Sequence, residues 1–451
     1  MTSFASYRRP ASATFALTLA LTACPAAAQS PLPPSATSTI AAENTAATVL
    51  LPNPFQEWLN RFRTLAATRG ITPATLEGAL TDLQPIDKVL EYDRRQPEFI
   101  DTFWNYLNTR VNANRLAVGK EMLAWQQSQL TDLEQRYGVP ARYLVALWGM
   151  ETNYGSYLGG TPIIAALATL AFEGRRADFF RDELLAALRI VDEGHATPAT
   201  LLGSWAGAMG QMQFIPSTFL RHAIDADGDG RKDLWNSLPD ALHSAANYLN
   251  KAGWRSDEPW GREVRLPAGF DLIQANLSNK KTLREWSSLG VLAADGSALP
   301  DCEQRGAIIL PQGHQGPAFL VQRNFEVILG WNRSINYALA VGHLADRLIG
   351  LPPLQTGLEA DNRRIGREQM IALQQALELL GYDPGLPDGV LGTRTRAAIR
   401  NYQTEAGLPA DGHPSISLLE HLQAAAQSAD GSHDPANAPP PAAGITGKNT
   451  P

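Results

Sequence analysis

The sequence predicts a mainly α protein of the α+β class, with a small β region and a separate small helical bundle near its C-terminal end. Three observations carry this prediction. Apolar residues recur at three- and four-residue spacing through most of 55–349, the period of helices with one buried face. Between 260 and 328 that period gives way to short apolar runs bounded by Gly and Pro, Arg305–Leu310 and Pro317–Val321, which read as a few strands. Residues 367–423 carry an internal echo, Gly385-Leu-Pro-Asp-Gly389 and Gly407-Leu-Pro-Ala-Asp-Gly412, each leading into a helix. With 451 residues, 44% hydrophobic and 18% charged, the chain has room for two or three domains with a sizeable core. A net charge of −7 argues against a nucleic-acid partner, which would call for a basic surplus.

The N-terminus reads as an export signal over 1–28: Arg8 and Arg9, an apolar run from Ala11 to Ala23, then Cys24-Pro-Ala-Ala-Ala-Gln29. Two processing routes fit, cleavage after Ala28 or lipidation of Cys24 in Leu21-Thr22-Ala23-Cys24. Only Cys302 then remains, so no intramolecular disulfide is expected. No later stretch reaches the ~18 continuous apolar residues of a spanning helix.

Residues 29–53, rich in Pro, Ala, Ser and Thr, read as a flexible spacer. Phe55, Trp58, Leu59, Phe62 and Leu65 make one helical stripe, and Phe99, Phe103, Trp104 and Leu107 another. Pro140 suits the first turn of a helix running toward Gly155. Thr161-Pro162 opens a helix through Phe172, Asp178–Val191 a further one, 239–252 another and Asn336–Ile349 the last before a linker at 351–366. A small unit follows at 367–424, with Leu373, Leu377 and Leu380 on one helix and Ala397, Ala398, Ile399 and Tyr402 on another. The Pro/Ala/Gly tail, 425–451, has a disordered composition.

Three segments carry candidate chemistry. In the helix after Pro140, Leu144, Leu147, Trp148 and Glu151 follow at i, i+3, i+4, i+7, so a carboxylate continues an apolar stripe. Lost hydration raises the pKa of such a group toward neutrality, as suits a general acid; an arginine partner would cancel that, and the helix alone leaves both readings standing. The Gly203–Ser217 segment places Gly203, Gly207 and Gly210 among small residues, with Ser204 and Gln213 as polar groups it could present. Its plainer reading is a tight helix contact. The loop Asp225-Ala-Asp-Gly-Asp-Gly-Arg-Lys-Asp233 sets carboxylates at positions 1, 3, 5 and 9 and Gly230 at 6, the opening of an EF-hand calcium loop. Position 12 is Asn236 instead of the expected glutamate, and Asp240, four residues on, offers a longer closure. A solvated Asx-turn loop is the alternative.

Taken together, Ala146-Leu-Trp-Gly-Met-Glu-Thr-Asn-Tyr-Gly155, Gly207-Ala-Met-Gly-Gln-Met-Gln-Phe-Ile-Pro216, the Asp225 loop and Ala246-Asn-Tyr-Leu249 before Gly253-Trp254 resemble the lytic murein transglycosylases of the membrane-bound B type. The resemblance runs from about Phe55 to Ile349 and implies a lysozyme-like core over 54–350. It implies cleavage without hydrolysis of the β-1,4 bond between N-acetylmuramic acid and N-acetylglucosamine, leaving 1,6-anhydromuramic ends. Glu151 would be the sole acid/base. Ser204, Gln213 and Tyr248 would line the sugar cleft, with Asn332 and Tyr337 on its far wall. Trp331 stands where family members carry a tyrosine, which implies a missing hydroxyl there. Calcium would be held by Asp225, Asp227, Asp229, Arg231 and Asp240, and no organic cofactor is implied. Residues 367–424 resemble the peptidoglycan-binding type 1 domain through Leu373-Gln374, Gly381-Tyr382, Asp388-Gly389, Gly392, Thr395, Ala398-Ile399 and Tyr402-Gln403. The expected partner is therefore the peptidoglycan glycan strand, and the expected location the periplasm, in soluble form or held at the outer membrane through lipidated Cys24. A non-catalytic wall-binding scaffold and a lysozyme-like hydrolase that uses water are the alternatives.

Overall fold

The computed structural model describes residues 53–95, 101–356, 363 and 365–431. The export signal with Cys24, the spacer before residue 53, Phe99, part of the expected linker and the tail beyond 431 lie outside the described residues.

The main core is built around the helix Ala141–Thr152, in which every residue from Tyr143 to Met150 is buried. It is therefore covered on all sides, more than the single stripe read from its sequence, because Val145, Ala146 and Met150 also face neighbours. Pro140 is its N-cap and not its first turn. Ile335–Leu348 and Ala113–Trp125 pack against it, with Leu238–Lys251 and Gln127–Tyr137 alongside. Ile163–Glu173 and Ala177–Asp192 form an antiparallel neighbour pair. Thr161–Pro162 is not the start of the former helix but a short strand, β1, paired with β2 (Leu202–Gly203).

Sequence-specified caps fix two helix starts that matter for the site. Ser334 accepts from the Tyr337 N–H, so Tyr337 falls in the first turn of Ile335–Leu348. Ser237 does the same for Asp240 in Leu238–Lys251.

The β region is a five-stranded antiparallel sheet of β3 (Gly261–Arg265), β4 (Lys280–Thr282), β5 (Leu292–Ala293), β6 (Arg305–Ile309) and β7 (Ala318–Val321), in the order β4-β6-β7-β3-β5. The apolar runs at 305–310 and 317–321 are β6 and β7. Strands β3 and β4 leave no periodic signal because they are short and mostly polar, and β5 because it is only two residues long. Alternation divides the sheet: Ala307, Ile309, Phe319 and Val321 join the main helical core, while Ile308 and Leu320 join a second core with Leu283, Trp286 and Val291.

The C-terminal unit has Arg367–Leu379, Thr393–Glu405 and a third helix, Ile416–Gly431, closed over Leu373, Leu377, Ile399, Tyr402, Leu419 and Leu422. Hydrogen bonds join it to the sheet region. Asp411 receives both the backbone N–H and Nδ1 of His314, and Arg400 donates to the Ala275 carbonyl.

Candidate active site

The helix carrying Glu151 ends sooner than its glycines suggest. Asn153 and Tyr154 take left-handed conformations, φ 50° and 60°, so Glu151 is the penultimate helical residue. Two consecutive non-glycine residues in that region are costly and persist only where their surroundings fix them. Here the Tyr154 hydroxyl donates to the Arg115 carbonyl at 2.8 Å and its ring meets Trp148 edge-on. Gln211 fastens the same helix from the other side: its Oε1 accepts from Trp148 Nε1 and its carbonyl from Thr152 Oγ1, both at 2.8 Å. The sequence points to Ser204 and Gln213 and passes over Gln211, whose position in a glycine-rich segment gives no sign of a long-range partner.

Two donors from a distant part of the chain converge on Glu151 Oε1. Trp331 Nε1 donates at 2.9 Å and the Tyr337 hydroxyl through a short bond, from residues 180 and 186 positions away. Both choose the same oxygen, and no hydrogen bond reaches Oε2 among the described residues. Nor does any ion pair there include Glu151, so the arginine-partner reading fails. Burial pushes the Glu151 carboxyl up to about 7; the bonds from Tyr337 and Trp331, and more weakly the charge of Arg110, pull against it. Burial, and then the neighbouring Glu151, hold Tyr337 well above the usual phenol range. Trp331 was expected to leave a hydroxyl missing; instead its indole N–H supplies a donor directly to the carboxyl.

The other predicted residues fall in three places. Tyr248 packs edge-on against Trp331, centroids 4.9 Å apart, and Phe214 meets both rings, so Tyr248 belongs to the aromatic wall next to Glu151. Gln213, at φ 48°, turns its amide to the Leu158 and Gly210 carbonyls. Ser204 Oγ accepts from the Ala206 and Ala208 N–H groups, and Gly203 and Met209 bridge beneath it. These two hold the loop facing the helix end. Gly159 shows how closely it approaches: with φ +87°, a Cβ there would lie 2.3 Å from the Gly203 carbonyl oxygen. Asn332 is exposed, its Oδ1 accepting from the Ser334 N–H, and among the described residues no hydrogen bond joins it to Glu151.

In the acidic loop, Asp225, Asp227 and Asp229 each offer a carboxylate oxygen within 4.8 Å of the others. Like charges at that range repel, and hard oxygen donors in this number suit a divalent cation such as calcium. Asp240 is fully buried, with Oδ1 accepting from Ala226 N at 2.8 Å and Oδ2 from Asp233 N at 2.7 Å. It clamps the two ends of the loop and stands outside the acidic trio; Arg231 is tied in through its N–H to Asp229 Oδ1 at 2.8 Å.

A carboxyl set at a helix end, half-protonated near pH 7 and bounded by an aromatic wall and a glycine-rich loop in a lysozyme-like helical core, is the arrangement of a glycan-cleaving enzyme. The chain belongs to the Transglycosylase SLT domain family, whose model matches residues 54–346, and the Putative peptidoglycan binding domain model matches 366–422. It is similar to SltB3 of Pseudomonas aeruginosa, crystallised in complex with NAG-anhNAM-pentapeptide: 46% identity, 82% of this chain and 99% of that one covered, TM-score 0.78. It is also 35% identical over 248 residues to membrane-bound lytic murein transglycosylase B of Escherichia coli K12. That match takes in 54% of this chain and 61% of the relative's length. The Escherichia coli lytic transglycosylase Slt35, solved in complex with calcium, aligns at 27% identity over 66% of this chain and 92% of that one, with a TM-score of 0.56.

Three expectations follow. Trp331→Phe and Tyr337→Phe each remove a bond that favours the carboxylate, so the alkaline limb of the pH–kcat profile moves upward, further for Tyr337→Phe; an unmoved limb in both variants refutes the assignment. Glu151→Gln acts on stability with a definite sign. The folded pKa, about 7, lies above the ordinary 4.5, so the charged form is penalised above pH 7 and not below about 4. Urea melts should show the variant more stable than wild type by on the order of 3 kcal/mol at pH 8 and equal to it at pH 4. Thirdly, a chelator should lower Tm by several degrees and added calcium restore it, and Asp225→Asn should abolish the difference; equal midpoints with and without chelator exclude a structural ion at this loop.

Proposed function

We propose that this chain is an exported murein lytic transglycosylase that cleaves the β-1,4 bond between N-acetylmuramic acid and N-acetylglucosamine and leaves 1,6-anhydromuramic ends. The observation that carries the reading is Glu151, a carboxyl near neutrality with both protein donors on Oε1 and Oε2 left for a substrate. The ligand bound in the SltB3 complex, NAG-anhNAM-pentapeptide, is the kind of product this reaction gives.

Glu151 begins neutral, its proton on Oε2, and gives it to the glycosidic oxygen as the C1–O bond breaks. The resulting carboxylate, stabilised by Trp331 and Tyr337 at Oε1, takes the proton of the muramic acid C6 hydroxyl. That oxygen closes on C1, and Glu151 returns to its starting state. The attacking oxygen belongs to the substrate, so a second catalytic carboxylate, the requirement of ordinary glycoside hydrolysis, has no task here. Tyr248 and the Ser204–Gln213 loop shape the cleft for the sugars, and Asn332 and Tyr337 belong to its far wall. Asp225, Asp227 and Asp229 hold a structural calcium, with Arg231 contributing its carbonyl and Asp240 fixing the loop ends. The export signal places the enzyme in the periplasm, soluble or anchored through Cys24. The C-terminal unit raises its local concentration on the wall.

Digestion of purified murein by the mature protein, with mass analysis of the released muropeptides, tests this directly. Anhydromuramyl ends are expected from wild type and a loss of at least about 100-fold from Glu151→Gln. Reducing ends would make the protein a hydrolase, and no release would make it a scaffold.

A further inference from the structure

The C-terminal unit contains the same polar clip twice. In the first copy the buried Gln374 donates through Nε2 to Asp388 Oδ1 (3.4 Å) and accepts the Gly389 N–H (2.9 Å), and Asp388 Oδ1 also takes the Val390 N–H (2.8 Å). In the second, Gln403 donates to Asp411 Oδ1 (2.9 Å) and accepts the Gly412 N–H (2.8 Å), and Asp411 Oδ1 takes the His413 N–H (2.9 Å). In both copies one carboxylate oxygen is consumed internally, which leaves Oδ2 pointing away from the clip with its acceptor capacity intact.

The copies differ in what Oδ2 meets. Asp411 Oδ2 receives two donors from a single residue of the sheet region, the His314 backbone N–H (2.9 Å) and its Nδ1 (2.8 Å), and is only 6% exposed. Leu408, the apolar residue leading into that turn, lines a cavity of about 300 Å³ with Gln312 and His314. The equivalent Asp388 is exposed, no hydrogen bond reaches its Oδ2 among the described residues, and its neighbours Leu386 and Val390 are 84% and 41% exposed. Leu386 corresponds to Leu408 of the second copy, and Val390 stands where that copy has His413, so in the first copy the free carboxylate oxygen lies between two exposed apolar residues.

We propose that the Asp388 clip, with Leu386 and Val390, is a binding site for the stem peptide of murein. The occupied copy shows the chemistry such a clip accepts, a peptide unit bringing a backbone N–H and a nearby second N–H to one carboxylate oxygen, with apolar contact beside it. A stem peptide brings backbone amides and amino groups in this way, and the ligand in the SltB3 complex carries a pentapeptide. The duplication thus yields one docking surface for the enzyme's own body and one for the wall. This inference rests on the murein reading of the chain but not on its chemistry of cleavage.

The test uses the full chain with Glu151→Gln added to prevent digestion. Titration with free stem pentapeptide, followed by amide NMR shifts, should move Leu386, Asp388 and Val390, and Asp388→Asn and Leu386→Ser should each weaken that binding at least fivefold. Both substituted positions are exposed, so the fold is retained, which unchanged shifts elsewhere in the unit will verify. Cosedimentation with intact sacculi should weaken in parallel. Peptide shifts absent from these residues, variants that bind as wild type, or competition by peptide-free glycan equal to that by the peptide would each overturn the proposal. Failure to form anhydro ends would strike the cleavage reading alone and leave these binding outcomes to be judged separately.

Discussion

The architecture of the site depends on one constraint: a carboxyl that must lose water without gaining a cation. Withdrawing Glu151 from solvent in favour of another charge would be the usual solution, and it would fix the group as a carboxylate. Here the solution is two neutral donors on one oxygen. They satisfy the acceptor enough to hold the side chain in place, yet do not outweigh the effect of burial, so the carboxyl stays near neutrality. That balance requires the Ile335–Leu348 helix to begin where Ser334 caps it, since a shift of one residue would carry Tyr337 off by about 100° around the helix axis.

The same constraint explains why the segment facing Glu151 is poor in hydrogen-bonding side chains with freedom to move. Ser204 and Gln213 are spent on backbone groups, and Gln211 is spent on Trp148 and Trp235. A preorganised polar wall costs no reorganisation when a sugar arrives, whereas a mobile one would compete for the Glu151 proton. Strain at Asn153, Tyr154 and Gln213 is concentrated where the helix end and this loop meet, consistent with a geometry imposed by packing instead of local preference.

How legible was this in the sequence? The Leu144, Leu147, Trp148, Glu151 register gave the buried carboxyl, because helical periodicity is a local property that side-chain type reports. The acidic trio was equally legible, since EF-hand spacing is contiguous. What the sequence withheld is what depends on distant pairing. Trp331 read as a loss because a tyrosine hydroxyl was absent, while the indole reaches the same acid from 180 residues away. Gln211 carried no sign of its distant partners, and the spacing gave no sign that Asp240 would tie the amides of Ala226 and Asp233 together. Strands β3, β4 and β5 escaped for a related reason: being short, β4 and β3 exist because β6 and β7 offer them edges, and β5 because β3 does in turn.

The internal repeat was legible as a motif and illegible as a function, and the difference is instructive. Two near-identical Asp-Gly turns imply equal local structure, which the paired Gln374 and Gln403 clips display. Equal local structure does not imply equal surroundings. His314 lies almost a hundred residues before Asp411, in a loop whose Gly313 has no room for a Cβ: one would lie 2.8 Å from Asp411 Oδ2. The bare glycine lets the following N–H reach the carboxylate, so the contact is built by both partners. A duplicated turn therefore acquires two roles through what the rest of the chain brings to one copy and leaves off the other.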